Sequence, residues 1–222
     1  MFMFLLIWIL FLPALFFYCL LEKNENFKTA TAMKVALSTY VATLAIAFAF
    51  LSLNFFSVLI ALGLAFAVPA DFFLQYIKTD LKKYRFGILF FGAMHVCLLI
   101  AFFMAYGISW VEFSIMAVML IILTVFQKTE HWNLGPAKNQ LSVYTILVVA
   151  MAAKSLSIGI WDPTPAHISL ALGGLFFFIS DLFLGIWDYY NDKFIFLALN
   201  RVIYFVGQLL IAQSLLLAIP NL

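Results

Sequence analysis

The sequence predicts an all-α, polytopic membrane protein that folds as one bundle of eight transmembrane helices. Three observations support this prediction: the composition, the length of the apolar stretches and the placement of the basic residues. Of 222 residues, 67% are hydrophobic and 10% are charged. A soluble domain of this length needs far more polar surface, so we expect an integral membrane protein.

Eight apolar stretches are each long enough to cross a hydrocarbon core, which takes roughly 20 helical residues. They use nearly the whole chain, so we expect a single membrane domain over residues 1–222 with no soluble appendage. The first stretch lacks a basic region before it and a small-residue cleavage site, so we interpret it as a helix and not a signal peptide. The stretches cover about residues 2–21, 29–51, 54–77, 85–106, 109–126, 140–161, 167–187 and 194–217.

The basic residues mark one side of the predicted bundle. Eight crossings put alternate loops on opposite sides, and the loops of the other side hold no Lys or Arg. By the positive-inside rule the basic side is cytoplasmic, and both termini lie outside. The compact chain suggests a bacterial inner membrane, with an intracellular eukaryotic membrane as the alternative. The residues of this pattern are Lys23, Lys28, Lys78, Lys82, Lys83, Arg85, Lys128, Lys138 and Lys193.

A carboxylate, Asp181, lies well inside the apolar segment HISLALGGLFFFISDLFLGIWDYY of residues 167–190. At about 1.5 Å of rise per residue, it is roughly 9 Å inside the end marked by Trp187 and Asp188. So short a side chain does not easily reach water from that depth. An ionisable group in this position usually faces a protein interior or a wet cavity and indicates a functional site.

Asp71 repeats this predicted depth in the third stretch, about six residues before the most basic loop. Pro69 frees a backbone carbonyl one turn earlier, and a kink there is tolerated when neighbouring groups satisfy it. The alternative to a functional role is a structural ion pair with Lys34 or Arg201.

Other polar side chains share this predicted depth on different helices, so we expect one polar pocket in the cytoplasmic half. Lys34 either snorkels to the interface or faces this pocket. His95 is either a hydrogen-bonded core residue or a catalytic one. Arg201, Tyr204 and Gln208 are spaced i, i+3 and i+7 and lie on one helix face. The expected pocket residues are Lys34, Asp71, His95, Tyr144, Asp181, Arg201 and Tyr204.

The outer half of the predicted bundle has few polar residues. We expect Glu112 to be an interfacial carboxylate and Lys154 to snorkel outward. Cys19 and Cys97 both lie in predicted spans, where a thiol packs well, and we assign them no chemistry.

The residue types favour acid–base chemistry over metal or serine chemistry. His131 is in a predicted cytoplasmic loop, His167 is at the outer side and His95 lies between them, so the three do not meet around one ion. No GxSxG or HExxH motif occurs, and Ser180 has no base beyond its Asp neighbour. We therefore expect no metal and no cofactor. Two Asp in unequal surroundings can supply one proton donor and one ionised base.

Several motifs also carry a family resemblance. GGLFFFISDLFLG, NRVIYFVGQLLIAQ, GLAFAVPADFFL, FGILFFGAMH and Lys34 resemble the YhhN/TMEM86 family of multi-pass lysoplasmalogenases over most of the chain. The closest matches are the ISD triplet and the pair Tyr204 and Gln208. The resemblance implies hydrolysis of the vinyl ether bond of a lysoplasmalogen, which releases a fatty aldehyde and glycerophosphoethanolamine or glycerophosphocholine.

That reaction needs a positioned acid, an anion and a base for water, and it requires neither a metal nor a covalent nucleophile. We assign catalysis to Asp71 and Asp181. The expected partners are the lysophospholipid substrate and membrane lipids, with no nucleic acid, and the oligomeric state stays open. The residues expected to bind substrate are Lys34, His95, Tyr144, Ser180, Arg201, Tyr204 and Gln208.

Two alternatives remain open from the sequence. Intramembrane Asp, Lys and Arg also mark ion and proton paths, so a small proton-coupled transporter or channel is the main rival. A structural or lipid-binding protein, whose buried charges only hold the bundle together, is the second.

Overall fold

The computed structural model describes residues 2–24, 26–129, 132 and 134–219, and this part of the chain is helical without any strand. Eight of its helices are long and apolar enough to span a membrane, which confirms the predicted bundle. A short 3₁₀ turn, Gly135–Ala137, comes directly before the sixth. The helices are α1 Phe2–Lys23, α2 Phe27–Ser52, α3 Phe55–Leu74, α4 Leu81–Tyr106, α5 Trp110–Thr129, α6 Lys138–Trp161, α7 Pro165–Tyr189 and α8 Phe194–Leu217.

Polar residues in the loops begin several of these helices. The side chains of Asn54, Asp80 and Thr164 accept hydrogen bonds from backbone N–H groups in the first turns of α3, α4 and α7. Such caps satisfy donors that have no partner within the helix. α4 ends at Gly107, whose φ of 62° suits a residue without a Cβ.

The third helix is shorter than predicted, because it ends at Leu74 and not near residue 77. Beyond it, Tyr76 donates its backbone N–H to Phe73 and Ile77 donates to Leu74, so a tighter i to i−3 pattern replaces the α-helix. Asp71 therefore lies one turn from the helix end. It is still fully buried, with 0% of its surface exposed.

Among the described helices, α7 and α8 pack against each other most extensively. A Cβ on Gly173 would lie 2.9 Å from the carbonyl oxygen of Gly207, so both backbones approach closely because both positions are glycine. Helices α1, α2, α3, α4, α6, α7 and α8 contribute side chains to the main buried core, and α5 packs mainly on α6.

Cross-helix contacts show which helix ends meet. Glu22 on α1 contacts Arg201 on α8, and Tyr84 on α4 contacts Tyr189 on α7. These contacts gather the predicted basic loops at one end of the bundle, which we call the basic end. Its cytoplasmic location stays a prediction from the charge rule.

Candidate functional site

The first part of the site is a buried polar cluster around Asp71, formed by α2, α3 and α8. The Lys34 ammonium lies 3.0 Å from Asp71 Oδ1, and the two side chains are 1% and 0% exposed. The contact is an ion pair without a well-directed hydrogen bond, since neither Lys34 Nζ nor Asp71 Oδ1 has a hydrogen-bond partner among the described residues. Lys34 therefore faces the protein interior and does not snorkel.

The other oxygen of Asp71 is tightly bound. Ser38 and Tyr204 both donate their hydroxyl groups to Asp71 Oδ2, the latter at 2.5 Å. Gln208 donates to the Tyr204 hydroxyl at 2.6 Å, so the predicted pair on α8 supports the carboxylate. We call Lys34, Ser38, Asp71, Tyr204 and Gln208 the Asp71 cluster.

The second part of the site is Asp181, which lines a cavity between α6 and α7. Tyr144 donates its hydroxyl to Asp181 Oδ2 at 2.6 Å. No ion pair with Lys or Arg is described for Asp181 in residues 2–24, 26–129, 132 and 134–219. Asp181 lies eight residues before the end of α7 at Tyr189, which is about 12 Å of helix.

The Asp181 cavity is mostly apolar, and its volume of about 90 Å³ has room for several waters. A Cβ on Gly185 would lie 2.6 Å from the Trp132 ring, so this glycine lets the ring pack directly against α7. Lining residues include Tyr84, Leu123, Trp132, Tyr144, Phe178, Asp181, Gly185 and Asp188.

The two carboxylates do not share this cavity, contrary to the expectation of one pocket. Asp71 is not among the lining residues, and aromatic rings lie between the two centres. Phe91 packs against Tyr144 at 6.5 Å and against Tyr204 at 5.8 Å between ring centroids. The two carboxylates were predicted at a shared depth, but their helix faces direct Asp71 toward α2 and α8 and Asp181 toward α6.

His95 lies beside Tyr144 of the Asp181 centre and has no hydrogen-bond partner among the described residues. The ring is fully buried, and neither Nδ1 nor Nε2 finds a donor or acceptor. Its centroid is 5.5 Å from Tyr144 and 4.8 Å from Phe177, which in turn contacts Tyr204 at 5.2 Å. An orphaned buried polar ring calls for a water or a ligand group, so His95 marks the place where one would bind.

A third polar group, which the sequence did not predict as a unit, lies at the basic end. Arg201 does not contact Asp71 and instead pairs with Glu22 at 3.2 Å, while Gln75 bridges the two side chains. Asn200 accepts from Arg201 at 3.0 Å. Glu22, Gln75 and Arg201 line a small cavity next to the loops. Glu22 and Gln75 were missed because residues at helix ends are usually interfacial.

Ser180 is buried against α8 and does not line the Asp181 cavity. Its hydroxyl donates to the Phe177 carbonyl in its own helix at 2.6 Å, and its own carbonyl accepts from Asn200 at 2.9 Å. The structure therefore gives Ser180 a role in joining α7 to α8, which does not support the expected contact with substrate.

The structure contradicts the prediction for Lys154 in the outer half. Lys154 is 2% exposed and does not snorkel, while Glu112, in the first turn of α5, has a buried side chain that is 4% exposed. They form an ion pair at 3.1 Å. Lys154 also donates to the Gly107 carbonyl at 2.7 Å, and Ser157 donates to Glu112 at 3.1 Å. The pairing was not predicted because 42 residues separate the partners and each alone suits a membrane boundary.

A metal site was not expected from the sequence. Within the described ranges, no three His, Cys, Asp or Glu side chains lie close enough together to hold a metal ion. His131 lies outside the described residues.

One comparison with known proteins places the chain in a family. The family model described as the YhhN family matches residues 30–215, which include every residue of the Asp71 cluster and Asp181. No curated protein and no solved structure matches the chain.

Proposed function

Because the chain belongs to the YhhN family, we propose that it is an intramembrane hydrolase that cleaves the vinyl ether bond of a lysoplasmalogen. The products are a fatty aldehyde and glycerophosphoethanolamine or glycerophosphocholine. One observation carries the proposal: a carboxyl group, Asp181, lines an apolar cavity inside a membrane-spanning helix. An apolar wall with one carboxyl group suits the reacting bond of a lipid, whose polar atoms are few.

The reaction needs proton transfers and no stronger chemistry. An acid gives a proton to the vinyl carbon that is second from the ether oxygen, which produces an oxocarbenium ion. Water adds to the carbon that bears the oxygen and loses a proton, which gives a hemiacetal. The hemiacetal then breaks into an aldehyde and the glycerol hydroxyl, so one water is consumed and the proton returns to the enzyme.

Asp181 is our candidate for the acid, since it reaches the cavity and Tyr144 holds its carboxyl group in one orientation. Rigid orientation matters because proton transfer to carbon is slow and requires a short, aligned approach. His95, whose ring nitrogens lack partners in the described part of the chain and which packs on Tyr144, is our candidate for binding the attacking water.

Asp71 supports the same reaction from behind the aromatic rings. Lys34 offsets part of the charge at Asp71 Oδ1, and the remaining dipole has its carboxylate end, Oδ2, held by Ser38 and Tyr204. In surroundings of low dielectric such a dipole acts more strongly than in water. A carboxylate there stabilises the oxocarbenium ion that forms in the cavity. Lys34 fixes the position of Asp71.

The test compares three lipids that share a head group. Purified protein is incubated with a lysoplasmalogen, with the acyl lysolipid that has an ester in place of the vinyl ether, and with the diacyl lipid. We expect aldehyde only from the first. Release of a fatty acid from the ester, or no reaction with any of the three, would contradict the proposal.

The same preparation distinguishes the rivals. Reconstituted in liposomes, a proton-coupled transporter or channel would carry protons or solute across the bilayer without altering the lipid. A structural or lipid-binding protein would neither carry solute nor release aldehyde. The Lys154 and Glu112 pair is no argument for a path across the bundle, since both side chains are bonded to protein groups.

A further inference from the structure

The structure has a second apolar depression next to the Asp181 cavity, on the outside of the bundle between α4 and α6. We call it the α4–α6 groove. Its volume is about 590 Å³, compared with about 90 Å³ for the Asp181 cavity behind it. Its lining residues are Arg85, Ile88, Leu89, Gly92, Ala93, Val96, Asn139, Gln140, Val143, Tyr144 and Leu147.

Tyr144 belongs to both spaces. Its side chain lines the groove and the Asp181 cavity, and its hydroxyl donates to Asp181. Among the described residues, Tyr144 is the one that lines both, so the groove and the cavity lie on either side of its side chain.

The dimensions of the groove suit one hydrocarbon chain from one leaflet. From Arg85 to Val96, α4 rises about 16 Å, which is close to half of a hydrocarbon core roughly 30 Å thick. Gly92 keeps the groove open, since a Cβ there would meet only Leu147, at 3.7 Å. Leu89, Val96 and Val143 are exposed and give the groove an apolar wall.

The polar end of the groove has the charge that a phosphate requires. Arg85, Asn139 and Gln140 are exposed at the basic end, and Arg85 gives one hydrogen bond to the Pro136 carbonyl. A guanidinium has five donors, so others can bind phosphate oxygens beside the two amide side chains. Tyr144 lies six residues after the start of α6, which is about 9 Å deeper in the bundle than that helix end. The first bond of a lysolipid chain would lie at this depth.

We propose that a single-chain phospholipid enters sideways from the bilayer through the α4–α6 groove. Its phosphate binds Arg85, its chain lies along Ile88 to Val96, and Tyr144 admits its first chain bond to Asp181. This inference rests on the proposed function for the identity of the lipid, and it names the route and the head-group contact of that substrate.

The test is photolabelling, which needs binding and no turnover. A lysophospholipid with a diazirine in its chain is irradiated with the purified protein in nanodiscs, and the labelled peptides are identified by mass spectrometry. We expect label on α4 between Ile88 and Val96 and on α6 between Val143 and Leu147. Label confined to other helices, or abolished by excess diacyl lipid as readily as by excess lysolipid, would overturn the proposal.

A matched pair of variants tests whether the groove itself is used. Ala93→Phe fills the groove, and we expect about tenfold less label on α4 and α6. Ala47→Phe adds the same ring at an exposed position of α2 outside the groove and should leave labelling unchanged. Equal labelling of the two variants would contradict the proposed route.

A second lipid probe, which has no phosphate, tests the contact between the head group and Arg85. Arg85→Gln should reduce labelling by the lysophospholipid about tenfold, because a charged hydrogen bond is lost. Labelling by a monoacylglycerol with the same chain and diazirine should not change, since it has no phosphate. An equal loss for both lipids would refute phosphate binding at Arg85.

These outcomes separate the route from the reaction. Label in the groove without any aldehyde release would refute the proposed function and leave the lipid site intact. Aldehyde release with label only elsewhere would refute the route and leave the reaction intact.

Discussion

Two buried ion pairs, one in each half of the bundle, have nearly the same length and differ in their surroundings. Lys34 and Asp71 lie 3.0 Å apart, and Lys154 and Glu112 lie 3.1 Å apart. The outer pair is closed by hydrogen bonds from Ser157 and to the Gly107 carbonyl. In the inner pair, Asp71 Oδ2 accepts from Ser38 and Tyr204, but Lys34 Nζ and Asp71 Oδ1 have no directed hydrogen bond. The unpartnered His95 packs on Phe177, which contacts Tyr204.

The comparison shows that buried charge alone does not identify a functional site. A pair whose polar atoms are all satisfied holds elements together, here the α4–α5 loop against α6. Unsatisfied polar atoms beside space for a ligand indicate binding or chemistry, because leaving such atoms unpaired costs stability. Variants at these two pairs and at Asp181 should therefore differ in their effect on aldehyde release.

Replacing the candidate acid should have the largest effect. Asp181→Asn keeps the shape of the side chain and can still accept from Tyr144, but it has no acidic proton to give to a vinyl carbon. We expect aldehyde release to fall by roughly 10²–10⁴-fold. The control is the yield and the gel-filtration profile of the variant, which should match those of the parent protein. A folded variant with near-full turnover would rule out Asp181 as the acid.

Removing the inner pair separates catalysis from support. Asp71→Asn alone leaves the Lys34 ammonium buried without a counter-charge, which costs about 3–5 kcal/mol of stability. Lys34→Met with Asp71→Asn removes both charges, so thermal stability should recover. Aldehyde release should stay down by roughly 10²-fold, because the stabilising carboxylate is gone.

That double variant decides between the two readings of Asp71. If aldehyde release returned together with stability, the inner pair would be structural, as the outer pair is. Asp71 would then have no part in catalysis.

The Tyr144 hydroxyl should matter less than either carboxylate. Tyr144→Phe retains the ring at the cavity and removes the donor to Asp181 Oδ2. We expect kcat to fall about tenfold, the equivalent of one charge-assisted hydrogen bond. Phe91→Leu, which changes a ring in contact with Tyr144 but no polar group, serves as the control. An effect of Phe91→Leu as large as that of Tyr144→Phe would show that ring packing matters and the hydroxyl does not.

The outer pair should have the smallest effect on activity. Glu112→Gln leaves Lys154 without its carboxylate and should lower the free energy of unfolding by about 3 kcal/mol. The molecules that remain folded should release aldehyde at the parental rate, since the pair is closed off by protein groups. Thermal denaturation and specific activity per folded protein check the two parts. A large loss of specific activity would mean that the outer pair also serves the reaction.

The sequence predicted the fold well because the membrane requires long apolar helices and the basic loops alternate with them. It also identified Asp71, Asp181, Tyr144 and Tyr204 as interior polar residues, since such groups are costly in lipid.

The sequence predicted the pairing of these residues less well, because pairing depends on which helix faces meet. Arg201 pairs with Glu22, 179 residues away, whereas the sequence offered Asp71 as its partner. Lys154 pairs with Glu112, although each alone suits a membrane boundary. The sequence also did not predict that the two carboxylates lie in separate places. The depth of a residue follows from its position along a helix. The direction of its side chain depends on which helices are neighbours, and the sequence alone does not tell this.

If the protein transfers a proton to a vinyl carbon, the carbon that receives the proton can be observed directly. The protein, equilibrated in D₂O, is given a lysoplasmalogen, and the aldehyde is trapped at once and examined by mass spectrometry. We expect one deuterium on the carbon next to the carbonyl, slower release than in H₂O, and nearly complete loss of product with Asp181→Asn. Aldehyde without deuterium at that carbon, or unchanged release from folded Asp181→Asn protein, would rule out proton transfer from Asp181 to the vinyl carbon.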